Sequence, residues 1–165
     1  YDSFEGLPDK HNKDGVTLYS GGACKIEEFR VLDMFKNNNL SDKLPVIHKG
    51  WFKDTLPNKL PDKICFAHLD GDFYSSIKES LEYVYPKLSK GAIVIIDDYC
   101  SPEIHKKIQN LINNNPYSKE SRRRICIDDD LPGVKVACDE FFVDKKEKIT
   151  ILIAGEEKHA YFRKL

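Results

Sequence analysis

Residues 67–99 read AHLDGDFYSSIKESLEYVYPKLSKGAIVIIDDY, and their spacing decides the fold. The apolar run "KICFAHLD" (63–70) leads into a stretch with Ile77, Leu81, Val84 and Leu88 at i, i+4, i+7 and i+11, one apolar face of a helix. "GAIVIID" (91–97) follows, opened by Gly91 at the predicted helix end. Both flanking runs are continuous rather than alternating, which marks strands buried on two faces. A strand–helix–strand unit of this kind makes parallel neighbours with a right-handed connection. Each strand closes on two acids: Asp70 and Asp72 after the first, Asp97 and Asp98 after the second.

Upstream, "YDSFEGLPD" (1–9) offers a strand stub and a turn at Gly6-Leu7-Pro8, and "HNKDGVTLYSGG" (11–22) is loop. Ile26, Phe29, Leu32 and Phe35 predict a helix that "NNNLSD" (37–42) ends. "PVIHKGWF" (45–52) is a predicted short strand, and "DTLPNKLPDK" (54–63) a loop with two prolines, with room for a helical turn. Downstream, "PEIHKKIQNLINNN" (102–115) carries a proline in its first turn, as helices tolerate. "GVKVACDEFFVDK" (133–145) is helical with Val134, Cys138 and Phe141 on one face. "ITILIAG" and "HAYFRKL" form a closing antiparallel hairpin across "EEK". The pattern predicts a doubly wound α/β domain over 1–165, mostly parallel and covered on both faces, with the hairpin as an antiparallel edge.

Composition excludes several classes. With 26 basic and 27 acidic residues, the net charge of −1 gives no field for nucleic acid or an anionic membrane. "RRR" (122–124) and "DDD" (128–130) read as one solvated, self-complementary loop. Five scattered cysteines without a C-x-x-C pair argue against a disulfide scaffold or zinc ribbon and fit a reducing compartment, the cytoplasm. No apolar run approaches the ~20 residues of a membrane span, and no signal peptide is visible. The chain starts at Tyr1 and its one methionine is Met34, so the expectation is that something upstream has been trimmed.

Ligands of open α/β sheets bind beyond the carboxyl ends of the strands. Neighbouring strands lie roughly 4.8 Å apart, so the four carboxylates can converge. Asp70 and Asp72 face one way on an extended chain, and Gly71 between them lets the backbone turn and a ligand approach. Carboxylates crowded in a low-dielectric crevice shift their pKa values or draw in a cation. An all-oxygen donor set selects a hard ion: magnesium, or else calcium or manganese. A bland alternative is that Asp72 caps the following helix.

"DSFEGLP" (2–8), "GWFKDTLP" (50–57), the stretch 68–99 and "PGVKVACDEFF" (132–142) together resemble the macrocin O-methyltransferase family. The likeness runs from Asp2 to the "YFRK" near the end, and the long middle motif is its most specific part. It implies a Rossmann-like class I methyltransferase fold that uses S-adenosylmethionine and Mg2+ to methylate sugar hydroxyls of natural products. Carried over residue by residue, it implies Asp70, Asp97 and Asp98 as metal ligands and Asp72 as general base. It implies Asp2, with Ser3 beside it, at the cofactor ribose, and Gly50 and Trp51 near the adenine. These roles are chemically reasonable: a sugar hydroxyl is too weak an acid for an ordinary aspartate of pKa about 3.9. A cation lowers the pKa of a hydroxyl facing it, after which a nearby carboxylate can take the proton.

The sequence departs from the family in two places. The glycine-rich turn that holds the methionine part of the cofactor has no counterpart, so the chain is expected to be the C-terminal portion of a longer, N-terminally incomplete domain that alone binds cofactor poorly. Residues 101–131 also look like an insertion, either shaping acceptor choice or a surface elaboration. Two other readings compete: a metal-dependent glycosyltransferase using Asp70-Gly71-Asp72 as its D-x-D motif, and an inactive or binding-only module. The expected partner is a small sugar or glycoside; self-association, the acceptor and the methylated position stay open. His48 and His68 read as packed strand residues, and Tyr99 as lining the acceptor site.

Overall fold

A computed structural model describes residues 1–17, 19–99, 131–154 and 157–165. The predicted helix 102–115, the arginine and aspartate runs, and all but Leu131 of the expected insertion lie outside the described residues. In chain order the elements are α1 (Glu28–Asn37), α2 (Phe52–Lys59), β1 (Ile64–Leu69), α3 (Tyr74–Val84), β2 (Leu88–Asp97), α4 (Pro132–Phe142), β3 (Thr150–Ala154) and β4 (Glu157–Arg163).

Among the described residues the strands form one mixed sheet in the order β1-β2-β4-β3. β1 and β2 are parallel across the α3 crossover, as predicted, with Leu69 opposite Ile96. The closing hairpin is also present, but its second strand makes the join: β4 pairs with β2, and β3 lies outermost. Gly91, expected at a helix end, sits inside β2 at φ +84°. Its N–H donates to the Lys164 carbonyl at 2.7 Å, close to where the β1–β2 register slips.

One face of the sheet carries the core. Leu69, Ala92, Val94, Ile96, Ala160 and Phe162 pack there with Ile77, Leu81 and Val84 of α3 and Val134, Ala137 and Cys138 of α4. Each of these side chains, removed from water, contributes on the order of 1–3 kcal/mol. The opposite face is open along β1, where His68 is exposed and Phe66 is 56 % exposed. The expectation of strands covered on both faces therefore holds for β2 better than for β1, an edge strand among the described residues.

Two local readings differ from expectation. Residues 45–52 form no strand; a single parallel bridge joins Lys49 to Asp2. The stretch expected as a loop is largely helix α2, despite Pro57 inside it. Thr55 and Leu56 bury against the core side, so tertiary packing outweighs the missing proline N–H. Helix α1 forms close to its predicted span but buries no residue, and Phe29 and Met34 stay exposed.

A buried carboxylate fixes the start of α3. Asp14 is 1 % exposed. Its Oδ1 accepts from the Tyr74 N–H at 2.6 Å and its Oδ2 from the His11 N–H at 2.7 Å. Gly133 at the start of α4 passes directly over it: a Cβ there would stand 1.9 Å from Asp14 Oδ1. The start of α3, just after the turn that carries Asp70 and Asp72, is thereby held by Asp14, with α4 packed over it.

Candidate metal and cofactor site

Alternation along β2 puts Ala92, Val94 and Ile96 in the core and turns Asp97 to the open face. Asp98 lies one residue beyond, in the turn that ends the strand, so adjacent residues leave the tip in different directions. Asp98 has φ +54° and Asp72 has φ +57°, the left-handed region that aspartate tolerates better than most side chains. Backbone of this kind is held by its surroundings and clusters at functional sites.

The result is two clusters. Carboxylate oxygens of Asp70, Asp72 and Asp98 lie within 4.8 Å of one another. Asp97 instead meets two imidazoles, His68 and His159, whose ligand atoms lie within the same distance of its carboxylate. Of the residues expected at the metal, Asp70 and Asp98 thus come together with the expected base Asp72, while Asp97 stands next to them. Asp97 remains close enough for its charge to be felt at both Asp70 and Asp72.

The acidic crowd is visible in protonation. Burial, followed by the charges of Asp70 and Asp97, pushes Asp72 up to about 6, against a counteracting hydrogen bond with Asp98. Desolvation and the Asp97 charge raise Asp70 too, partly offset by His68 and His159. The Cys24 thiol across the cleft is raised by burial and by the charges of Asp72 and Asp70. Among the described residues no lysine or arginine forms an ion pair with Asp70 or Asp72. An all-oxygen donor set, in which Asp70 and Asp72 repel one another, fits a hard divalent ion.

A cavity of about 540 Å³ opens from this cluster, lined by Asp2, Ser3, Trp51, Asp70, Gly71 and Asp72, among others. Three of the four residues expected at the cofactor therefore face the same cleft as the acids. Asp2 Oδ1 accepts from the Phe4 N–H at 2.6 Å, which fixes its carboxylate at the mouth. Ser3 Oγ donates to the Gly6 carbonyl at 2.9 Å and closes the turn. Gly50 does not line the cavity. Its N–H donates to the Asp2 carbonyl at 2.9 Å, and a Cβ there would meet Thr55 Cγ2 at 2.9 Å, so it positions Asp2 and Trp51.

His68, expected as a packed strand residue, stands instead beside Asp97 with His159. Alternation in "HAYFRKL" does put His159 on one face with Tyr161, but its position opposite Asp97 depends on long-range register. Asp14 lies in the expected loop 11–22, and nothing local in the sequence marks it as the support of α3. Tyr99, expected beside the acceptor, is buried and donates through its hydroxyl to Asp139 of α4 at 2.8 Å.

Comparison with known proteins gives the family and the fold. Residues 1–141 match the family model described as macrocin-O-methyltransferase (TylF). Demethyldecarbamoylnovobiocin O-methyltransferase of Streptomyces niveus is 38 % identical over 113 residues, covering 61 % of this chain and 42 % of that protein. Mycinamicin III 3''-O-methyltransferase of Micromonospora griseorubida is 37 % identical over 127 residues, covering 72 % of this chain and 50 % of its own length. The chain thus spans about half the length of the curated relatives it matches. In structure it superposes on the O-methyltransferase NovP with a TM-score of 0.66 at 26 % identity, over 99 % of this chain and 57 % of that one. The O-methyltransferase from Bacillus cereus in complex with SAH shares the fold, with a TM-score of 0.53 at 15 % identity over 84 % of this chain and 60 % of that one. The middle motif, the acidic strand tips and the fold around them lead to one conclusion: this chain belongs to the macrocin-O-methyltransferase family.

Proposed function

We propose that the protein carrying this chain is an S-adenosylmethionine-dependent, Mg2+-dependent O-methyltransferase acting on a hydroxyl of a sugar or glycosylated metabolite. The single observation that carries the reading is the convergence of Asp70, Asp72 and Asp98 on one side of a cleft that also holds Asp2 and Trp51. Family membership and relatives that are sugar or antibiotic O-methyltransferases favour methyl transfer over nucleotide-sugar chemistry at the D-x-D motif.

Asp70 and Asp98 are the residues to hold the divalent ion, with Asp97 within electrostatic reach as a further ligand. Asp2 and Ser3, which line the cleft, would receive the ribose hydroxyls of the cofactor, and Trp51 would lie along its base. When bound, the ion polarises the acceptor hydroxyl and the cofactor supplies the methyl group. Asp72 then serves as general base. With its carboxyl near 6, it is a stronger proton acceptor than an ordinary aspartate and still largely ionised at neutral pH. The left-handed backbone at Asp72 and the Asp14 support beneath α3 hold that carboxylate in place. Free cysteines at Cys24, Cys65 and Cys138 accord with a cytoplasmic setting.

The test is methyl transfer from labelled S-adenosylmethionine to a panel of glycosides, with and without EDTA. Activity should vanish in EDTA and return with Mg2+. Asp72→Asn should lower kcat by about 10²–10⁴-fold while leaving Mg2+ affinity within about threefold. Undiminished turnover in excess EDTA contradicts the metal requirement, and normal kcat in Asp72→Asn removes it as the base.

A further inference from the structure

The open face of the sheet holds a second constellation, whose two histidines the methyl-transfer reading does not use. His68 on β1, Asp97 on β2 and His159 on β4 come from three strands that are neighbours in the sheet, and their ligand atoms lie within 4.8 Å of one another. His68 Nε2 stands 3.8 Å from Asp97 Oδ2, and His159 Nδ1 abuts Asp97 Oδ1. The two imidazoles are 6.3 Å apart and nearly perpendicular, so they approach the carboxylate from different sides.

His159 Nδ1 is the informative atom. Among the described residues it is the one buried side-chain nitrogen or oxygen with no hydrogen-bond partner. Its contact with Asp97 lacks hydrogen-bond geometry, and Asp97 Oδ1 already accepts from the Asp98 N–H at 3.1 Å. A buried polar atom without a partner costs on the order of 1–3 kcal/mol. A cation shared by this imidazole and the carboxylate would give the nitrogen the partner it lacks.

We propose that His68, Asp97 and His159 form a second metal site, one that takes a borderline divalent ion such as Zn2+ or Co2+. Two imidazoles and one carboxylate suit such ions, whereas an all-oxygen set suits Mg2+. With metal–ligand bonds of about 2.0–2.1 Å, ligand atoms around one ion lie about 3.0–3.4 Å apart. His68 has a side chain 46 % exposed and faces solvent, which leaves a coordination position for water or a ligand. Asp97 lies in the second cluster and within electrostatic reach of the first. The histidine site does not require that the first reading hold.

The probe is Co2+ alone, titrated into the protein and followed by its visible ligand-field bands, with Zn2+ added to displace it. The wild type should develop the bands saturably and lose them to Zn2+. His159→Ala and His68→Ala should each weaken Co2+ binding at least tenfold, while Asp70→Asn leaves it within about threefold. His68→Ala removes a half-exposed side chain and keeps the test informative if His159→Ala fails to fold. No bands in the wild type at millimolar Co2+ overturns the proposal. So does binding that persists in His68→Ala, or binding that disappears only in Asp70→Asn.

Discussion

Asp97 and Asp98 are consecutive residues that end in different chemistry. Asp98 turns off the strand tip and meets two more carboxylates; Asp97 stays in the pleat and meets two imidazoles. One peptide bond therefore divides an oxygen-only cluster from a nitrogen-bearing one. The difference shows that a run of acids in sequence is no unit of function. Strand alternation sends neighbours to different places, and long-range register decides what each one meets there.

The largest effect should come from breaking one side of this contrast alone. Asp70→Ala is expected to weaken Mg2+ binding about 100-fold, or about 3 kcal/mol, while Co2+ binding at the histidines stays within threefold. Parallel losses in calorimetric titrations of the two ions contradict the separation. Next comes the support of the oxygen cluster. Gly133→Ala places a Cβ against Asp14 Oδ1, loosening the start of α3, and should cost about 1–3 kcal/mol in denaturant unfolding. Its residual effect should fall on Mg2+ affinity rather than on Co2+.

How much of this was legible beforehand follows the same line. The β1–α3–β2 unit, the α4 face and the closing hairpin were readable because each depends on local periodicity. The meeting of Asp70, Asp72 and Asp98 was readable from two neighbouring parallel strand tips, whereas Asp97, expected with them, stands beside them. The pairing of Asp97 with His159 was not readable, because sequence does not reveal that β4 lies against β2. Helix α2 was missed since Pro57 argues against a helix locally and only packing of Leu56 overrides it.

A smaller effect concerns stability without metal. The Asp72 carboxyl is raised to about 6, above its ordinary 3.8, so its charge costs stability at neutral pH and the cost fades as pH falls from 6 towards 4. Asp72→Asn should therefore raise the thermal midpoint of metal-free protein at pH 7.5 by about 2–4 °C, as scanning calorimetry would show. A lowered midpoint contradicts the crowding of charge there. The smallest effect should come from the base of β4, which carries His159. Burial works against the charge of Glu147, but hydrogen bonds from Lys164 and the Leu165 N–H hold its carboxyl down to about 2. That contribution is complete above about 4.5 and is lost as pH falls towards 2. Glu147→Gln should flatten the acid limb of the stability profile, and an unchanged limb would remove the ion pair as its source.

The central claim is that carboxylates from two parallel strand tips gather one hard cation. Substoichiometric Mn2+ added to nitrogen-15-labelled protein tests it most directly, because the ion broadens the amides nearest to it. Signals of Gly71, Asp72 and Asp98 should vanish first and return when Mg2+ is added in excess. Broadening that begins elsewhere, or that Mg2+ fails to reverse, contradicts the claim.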